Sequence, residues 1–526
     1  MLARVKSGAL RGVDAFLVEV EVDLAPGMPY FATVGLPEVA VKESKDRVRA
    51  ALKNSGYKFH RGRITINLAP ADVRKEGTGF DLPVALGILA AQGVVPQESL
   101  EKYIIFGELS LDGRLKPTRG ILSMALATRE AGLALIIPRD NAREAAVVQG
   151  IEIYPADTLA QLVEFLAGRE PLGTFTPSPA DADSLAVAYD LDFREVKGQE
   201  PVKRALLLAA AGGHNVLMIG PPGAGKTMLA QRLPSILPPL NQEEALETSK
   251  IYSVMGLLKP GHGLLSRRPF RAPHHTISDA GLIGGGTTPR PGEVSLAHHG
   301  VLFLDELPEF KRSTLEVLRQ PLEDGVVTIS RAATSITFPA RFMLVASMNP
   351  CFCGFHGDAQ RLCTCTPQKI QQYRARISGP LLDRIDIQMQ VAAVPFRDLA
   401  EAAGGESSDE MRARVSQARG RQGQRFAGSR QVFANAQMTS RLVQAHCALG
   451  PEARRLLETA VERLGLSARA YTRILKIART IADLEGEADI TLPHVAEAVQ
   501  YRSLDRKFAS PGGAMFVKEV GGRYLV

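Results

Sequence analysis

The spacing of apolar positions divides the chain into three stretches. Up to about residue 168, strand-like and helix-like segments alternate. Residues 15–24 and 63–68 read as strands, 82–92 as an apolar helix, and 134–138 as an apolar run at the end of a second helix. A second α/β block follows, from about residue 192 to 395. In it Val216-Leu-Met-Ile219, Val301-Leu-Phe-Leu304 and the run from Arg341 to Asn349 are continuously apolar, as strands covered on both faces of a sheet would be. Beyond residue 396 the period becomes helical, in residues 441–449, 451–464, 467–484 and 492–501.

Two breaks separate these stretches. Residues 171–183 are rich in proline and small polar side chains and read as a linker, and residues 404–409 hold two glycines and two serines. The resulting division is a domain over 1–168, a linker over 169–191, a core over 192–395, a helical lid over 396–510 and a tail over 511–526. A length of 526 residues matches that count, being too great for one core.

Composition narrows the setting more than the function. Apolar residues make up 45% and charged residues 23%, as in ordinary globular protein. No run of eighteen apolar residues occurs, and the N-terminal segment lacks a long apolar core. Four of five cysteines crowd into residues 351–365, unlike a secreted disulfide framework. A cytoplasmic protein without membrane attachment is expected. A net charge of +7 permits an anionic partner without establishing one.

The chemistry begins where the strand at 216–219 runs into Gly220, Pro221, Pro222, Gly223, Ala224, Gly225, Lys226 and Thr227. This fits the phosphate-loop pattern G-x-x-x-x-G-K-[ST]. The glycines let backbone N–H groups turn inward around phosphate oxygens, and the following helix adds its positive dipole end. Lys226 is expected to reach the β- and γ-phosphates of ATP, and the Thr227 hydroxyl to sit on Mg²⁺. In the same block the strand at 301–304 ends in Asp305 and Glu306. Asp305 is expected to hold Mg²⁺ through water and Glu306 to orient the attacking water. The competing reading is a core strand that merely ends at exposed acids. Asn349 closes a third apolar strand and is a candidate to position the same water.

This ordered set, with Leu381-Leu-Asp-Arg384-Ile-Asp386, resembles an AAA+ ATPase of the magnesium-chelatase clade. The chain is similar in particular to the magnesium-chelatase-like ComM (YifB) proteins of bacteria. That likeness is carried by Arg271-Ala-Pro-His-His-Thr-Ile-Ser278, Gly300-Val-Leu-Phe-Leu-Asp-Glu306, Ser347-Met-Asn-Pro-Cys-Phe-Cys-Gly354 and Ser378-Gly-Pro-Leu-Leu-Asp-Arg-Ile-Asp386. The resemblance implies an α/β P-loop core with a C-terminal helical lid. It implies that Arg384 acts as an arginine finger offered to a neighbouring subunit, and that Arg469 is the sensor arginine of the lid, with Arg473 in reserve. It further implies a homo-hexameric DNA motor, acting on single-stranded or branched DNA as a helicase that promotes branch migration in recombination and natural transformation.

Residues 1–168 resemble the Lon protease α+β fold without its catalytic pair. Phe80 stands where an active enzyme has its serine, Leu122 near the place of the lysine, and Ser123 is the nearest misaligned alternative. Neither Phe80 nor Leu122 can attack a carbonyl or take a proton. An assembly role, or a hold on a polymer, is expected instead.

Cys351, Cys353, Cys363 and Cys365 form C-x-C-x₉-C-x-C, two close pairs suited to thiolate zinc, with His356 able to replace one thiol. Reduced cysteines in a loop are the alternative. His274, His275, His298 and His299 are read as packing residues, or as residues supporting the side chains of a site from behind, rather than as a second metal site. Arg271, Arg290 and Arg331 are candidates for gripping a phosphate backbone. A chelatase-type motor remodelling a protein partner is the competing function, and an ATP-fuelled protease is disfavoured.

Overall fold

A five-stranded parallel sheet explains the continuously apolar runs of the second block. Its order is Phe270–Arg271, Val301–Leu304, Met343–Met348, Val216–Ile219, Ile387–Gln390. The three central strands are buried at every residue, so alternation is lost. The strand Met343–Met348, which leads to Asn349, lies between the strand of the phosphate loop and the strand Val301–Leu304, which leads to Asp305, with Val345 opposite both Val216 and Phe303. The computed structural model describes residues 1–176, 189–258, 263–286, 288–331, 334–358, 361–394, 405–429, 432–502 and 504. Parts of the expected linker at 169–191 and of the start of the lid at 396, and all of the tail at 511–526, lie outside these residues.

Contacts group the chain into two units. Met1–Ala186, Asn241–Ser266 and Ser330–Phe338 form the first, and Val187–Leu240, Arg267–Ile329 and Pro339–Val526 the second. Two segments that lie within the 192–395 stretch of the sequence thus group with the N-terminal residues.

In the first unit Leu2–Arg11, Asp14–Ala25 and Arg63–Ala69 pair antiparallel, and Tyr30–Val34 adds a parallel edge strand. The helix Asp81–Ala91 is buried at all but one residue, which accounts for its lack of a polar face. A second, parallel sheet holds Tyr103–Ile105, Ala134–Pro138 and Ile153–Ala156. The helix Gln242–Met255 packs on the helix Ile121–Glu130, and Gly120 N–H donates to the Ser253 carbonyl at 3.1 Å. Phe80 is fully buried, edge-on to Phe106 with centroids 6.4 Å apart, and Leu122 is equally buried. Ser123 is buried and its hydroxyl donates to the Val13 carbonyl at 2.6 Å. All three residues serve the core.

In the second unit the lid helices Ser408–Arg425, Ser440–His446, Pro451–Leu464, Ala468–Glu485 and Leu492–Gln500 share one hydrophobic core with the sheet. The polar break at 404–409 is shorter than it reads, because Ser407 and Glu410 form a capping box that starts a helix at Ser408. Arg204, on the helix Glu200–Gly212, grips Glu497 at 2.9 and 3.0 Å and Glu485 at 2.9 Å, fastening the lid to the core. Among the described residues no helix is long and apolar enough to cross a membrane.

Candidate active site

The phosphate loop has the shape its glycines allow. A Cβ on Gly220 would sit 2.1 Å from the Val391 carbonyl oxygen, so only glycine fits there. Gly225, at φ +83°, turns the chain into the helix Lys226–Ile236. Lys226 is buried and folds back over the loop. Its Nζ donates to the carbonyls of Gly220 at 2.7 Å and Pro221 at 2.9 Å and to Asn349 Oδ1 at 3.2 Å. Burial lowers the Lys226 pKa, and the charges of Asp305 and Glu306 work against that shift. All three acceptors are neutral, so a phosphate oxygen competes well for this ammonium group.

Thr227 Oγ1 donates to Asp305 Oδ2 at 2.8 Å. The other carboxylate oxygen of Asp305 accepts from Glu306 N–H at 3.1 Å and from the Ser347 hydroxyl. A hydroxyl and a carboxylate meeting beside a phosphate loop are hard oxygen donors, a set that fits Mg²⁺. The loop, Asp305 and Asn349 all lie at the carboxyl ends of parallel strands, where open α/β sheets place ligands. Glu306 is exposed, in the left-handed region at φ 53° and ψ 48°, an unusual backbone for a glutamate. His275 Nδ1 lies 3.9 Å from Glu306 Oε2, its ring edge-on to Phe310.

Ser347 and Gln199, whose side-chain N–H donates to the Ala224 carbonyl at 2.8 Å, are neighbours of the site that sequence reasoning missed. Ser347 had a signal: it is a polar residue two positions before Asn349, near the end of the same apolar run.

The arginines sit apart from this cluster. Arg384 is buried, bonded to the Pro380 carbonyl at 2.6 Å and ion-paired with Glu323. Arg469 is largely exposed, with Asp383 at 4.0 Å as its ion-pair partner. Arg473 pairs with the buried Asp386 and donates to the Arg384 carbonyl at 3.3 Å. Of the candidate backbone grips, Arg271 is held by Glu293 at 2.6 and 2.7 Å, whereas Arg290 and Arg331 are exposed.

The four thiols of Cys351, Cys353, Cys363 and Cys365 converge, with their sulfurs all within 4.8 Å of one another and none in a disulfide. Sγ–Sγ distances are 3.3 Å for Cys351–Cys353, 3.7 Å for Cys351–Cys363 and 3.5 Å for Cys353–Cys363. Backbone N–H of Phe355 helps hold the Cys353 thiol down to about 5. The loop abuts the phosphate loop, since a Cβ on Gly354 would lie 2.6 Å from Pro222 Cδ.

Comparison with known proteins places these features in a family. Residues 192–399 match the model for magnesium chelatase, subunit ChlI. Residues 20–141 match that for subunit ChlI of Mg-chelatase, and 405–502 that for its C-terminal region. The chain is 47% identical to the competence protein ComM of Haemophilus influenzae, over 96% of this chain and 98% of that one. It is 45% identical to the YifB protein of Escherichia coli over the same shares. The magnesium-chelatase 38 kDa subunit of Rhodobacter capsulatus is 28% identical, over 43% of this chain and 65% of its own length.

Proposed function

The chain belongs to the ComM-type, magnesium-chelatase-like family of AAA+ ATPases, and on that premise we propose that it is an ATP-driven ring motor acting on DNA. Its work is that of a helicase or translocase promoting branch migration during homologous recombination and natural transformation, in the cytoplasm and as a homo-hexamer. The observation that carries the DNA reading is the likeness, over nearly both full lengths, to a protein named for competence.

In this reading Lys226 exchanges its carbonyl and amide acceptors for the β- and γ-phosphate oxygens. Thr227, and Asp305 through water, would hold Mg²⁺, which would neutralise charge on the phosphates. Glu306 orients the attacking water and Asn349 positions it from the neighbouring strand. Arg384 acts on the nucleotide of an adjacent subunit, for which it must leave Glu323. Arg469, exposed on the lid, is the sensor.

The four cysteines hold zinc. A tetrahedral site with Zn–S bonds of about 2.3 Å has sulfurs about 3.8 Å apart, close to the separations here. Held there by the four thiols, zinc would stiffen the path between Asn349 and Arg384.

The test is the ATP hydrolysis rate without DNA, with single-stranded DNA and with branched DNA, alongside release of a labelled strand from a three-strand junction. Stimulation by DNA and strand release are expected. Failure to bind any DNA at low salt with a non-hydrolysable ATP analogue rejects the reading. The chelatase-type motor acting on a protein partner then leads, supported by the partial likeness to the 38 kDa chelatase subunit.

A further inference from the structure

One short segment of the first unit is strongly basic. Between Lys42 and Arg63 stand eight basic and two acidic residues, a net +6 against +7 for the whole chain. Within the helix Ser44–Asn54, Lys45, Arg49 and Lys53 are spaced four apart and form one stripe. Like charges at that spacing weaken a helix, so the stripe is a cost to folding. Among the described residues, no carboxylate lies within ion-pair distance of Lys45, Arg49, Lys53, Lys58, Arg61 or Arg63, and of this segment only Arg47 is paired, turned inward to Asp81 at 2.6 Å.

Aromatic rings accompany these cations. Arg49 lies over Phe59 at 5.7 Å, and Phe59 stacks on Phe31 with centroids 6.5 Å apart and planes 16° apart. Arg63 lies over Tyr30 at 5.1 Å, its direct partner across the parallel strands, and Tyr30 is 54% exposed. Tyr30 opens the edge strand of its sheet, so nothing in the sheet flanks it on the outer side. The loop that carries Phe59 to Arg63 is fixed. His60 meets the Ala25 carbonyl at 3.2 Å, and a Cβ on Gly62 would lie 2.4 Å from that same oxygen.

We propose that this face of the first unit is a docking platform for single-stranded nucleic acid, DNA in the working enzyme. The stripe tracks the phosphates, while unpaired bases stack on Tyr30 and on the Arg49–Phe59 pair. Charge alone would serve any polyanion. The exposed ring beside a guanidinium plane selects one with planar bases. Phosphate charge and base faces are common to every sequence, so binding through this stripe and these rings is indifferent to sequence. The proposal rests on the DNA-motor reading and assigns the first unit a substrate-holding role separate from the ATP site.

The test uses the full chain, without nucleotide, and the fluorescence anisotropy of a labelled oligo(dT) of roughly thirty nucleotides across a salt series. The triple variant Arg49→Glu, Lys53→Glu, Arg63→Glu is expected to lose at least about tenfold in affinity and to flatten the salt slope. Tyr30→Ala is expected to lose severalfold with the slope unchanged, because stacking releases no counterions. Photocrosslinking of wild-type protein to an iododeoxyuridine oligonucleotide, mapped by mass spectrometry, needs no variant and is expected to mark Tyr30 or Phe59. It decides the matter if the triple variant fails to fold by circular dichroism. A folded triple variant that binds like wild type, or crosslinks confined to other segments, overturns the platform. Tyr30→Ala binding like wild type, with heparin held as tightly as oligo(dT), reduces the face to a general polyanion surface and also overturns it. Oligo(rU) bound more than about tenfold tighter than oligo(dT) overturns DNA as the occupant. Wild-type protein that binds no DNA with or without nucleotide removes the motor reading itself. Wild-type binding that the triple variant leaves unchanged removes only the platform.

Discussion

Arg473→Ala is expected to destabilise the second unit, and Arg469→Ala to stop turnover while leaving stability alone. The two arginines stand one helical turn apart on the lid, and their surroundings differ. Asp386, just ahead of the strand Ile387–Gln390, is fully buried. Its carboxylate takes Arg473, the Asn215 N–H at 3.0 Å and His214 Nδ1 at 3.5 Å. Burial pushes its pKa up, but Arg473, His214 and the Asn215 bond outweigh that and hold it well below the usual carboxylate range. Removing Arg473 strands a buried charge, a loss of about 3–5 kcal/mol in comparable pairs. The remaining donors place this case near 3. At about 2–4 °C per kcal/mol, the melting midpoint should fall by about 6–12 °C. Arg469, by contrast, is 63% exposed and 4.0 Å from Asp383, an arrangement worth about 0–1 kcal/mol. Thermal melts at neutral pH and ATP turnover at saturating ATP separate the two. The sign with pH follows from the depressed Asp386 pKa. Its stabilisation is complete above the unfolded value of about 4 and is lost as pH falls toward the folded one, so wild type should weaken on acidification more steeply than Arg473→Ala. If Arg473→Ala melts with wild type while losing turnover, and Arg469→Ala turns over normally, the assignment is reversed and the electrostatic argument fails.

Lys226→Ala is expected to abolish nucleotide binding or turnover, whereas Glu306→Gln should bind ATP and hydrolyse it very slowly; ordinary turnover in Glu306→Gln contradicts the role given to that carboxylate. Mixing Arg384→Ala with Lys226→Ala protein should restore some activity, because one interface of a mixed ring can carry both intact residues. Confirmed mixed rings without rescue argue that Arg384 acts within its own subunit. Protein purified reduced and without chelator should carry about one zinc per chain, released by a thiol-modifying reagent, and elemental analysis finding no metal favours plain reduced cysteines.

What the sequence displays is what physics requires to be contiguous. A strand buried on both faces must be an apolar run, so 216–219, 301–304 and 341–349 could be read directly, and the loop at 220–227 must turn within eight residues. The convergence of Lys226 with Asn349 and of Thr227 with Asp305 follows once those strands are adjacent. Pairings across long separations leave no local mark. Glu323 faces Arg384 from 61 residues away, and it resembles any other acid on an exposed helix. The same holds for the helix Gln242–Met255, an unremarked segment of the core stretch that packs with the N-terminal residues.

Asn215 shows why such residues matter most where they are least legible. In sequence it is a polar residue before a strand, the usual place for a turn. In the fold its Oδ1 accepts from Leu344 N–H at 2.9 Å and its Nδ2 donates to the Arg384 carbonyl at 3.0 Å. Its own N–H binds Asp386, and its carbonyl accepts from Ile387 N–H at 3.0 Å. One side chain and its peptide therefore tie the phosphate-loop strand to the Asn349 strand, the finger segment and the edge strand. Arg473 holds the same Arg384 carbonyl from the lid. A shift of the lid thus has a direct bonded route to the backbone of Arg384, while the Arg384 side chain remains on Glu323. In the function proposed above, release of Arg384 from Glu323 and movement of the lid would be linked through these few bonds, each of which is invisible to periodicity.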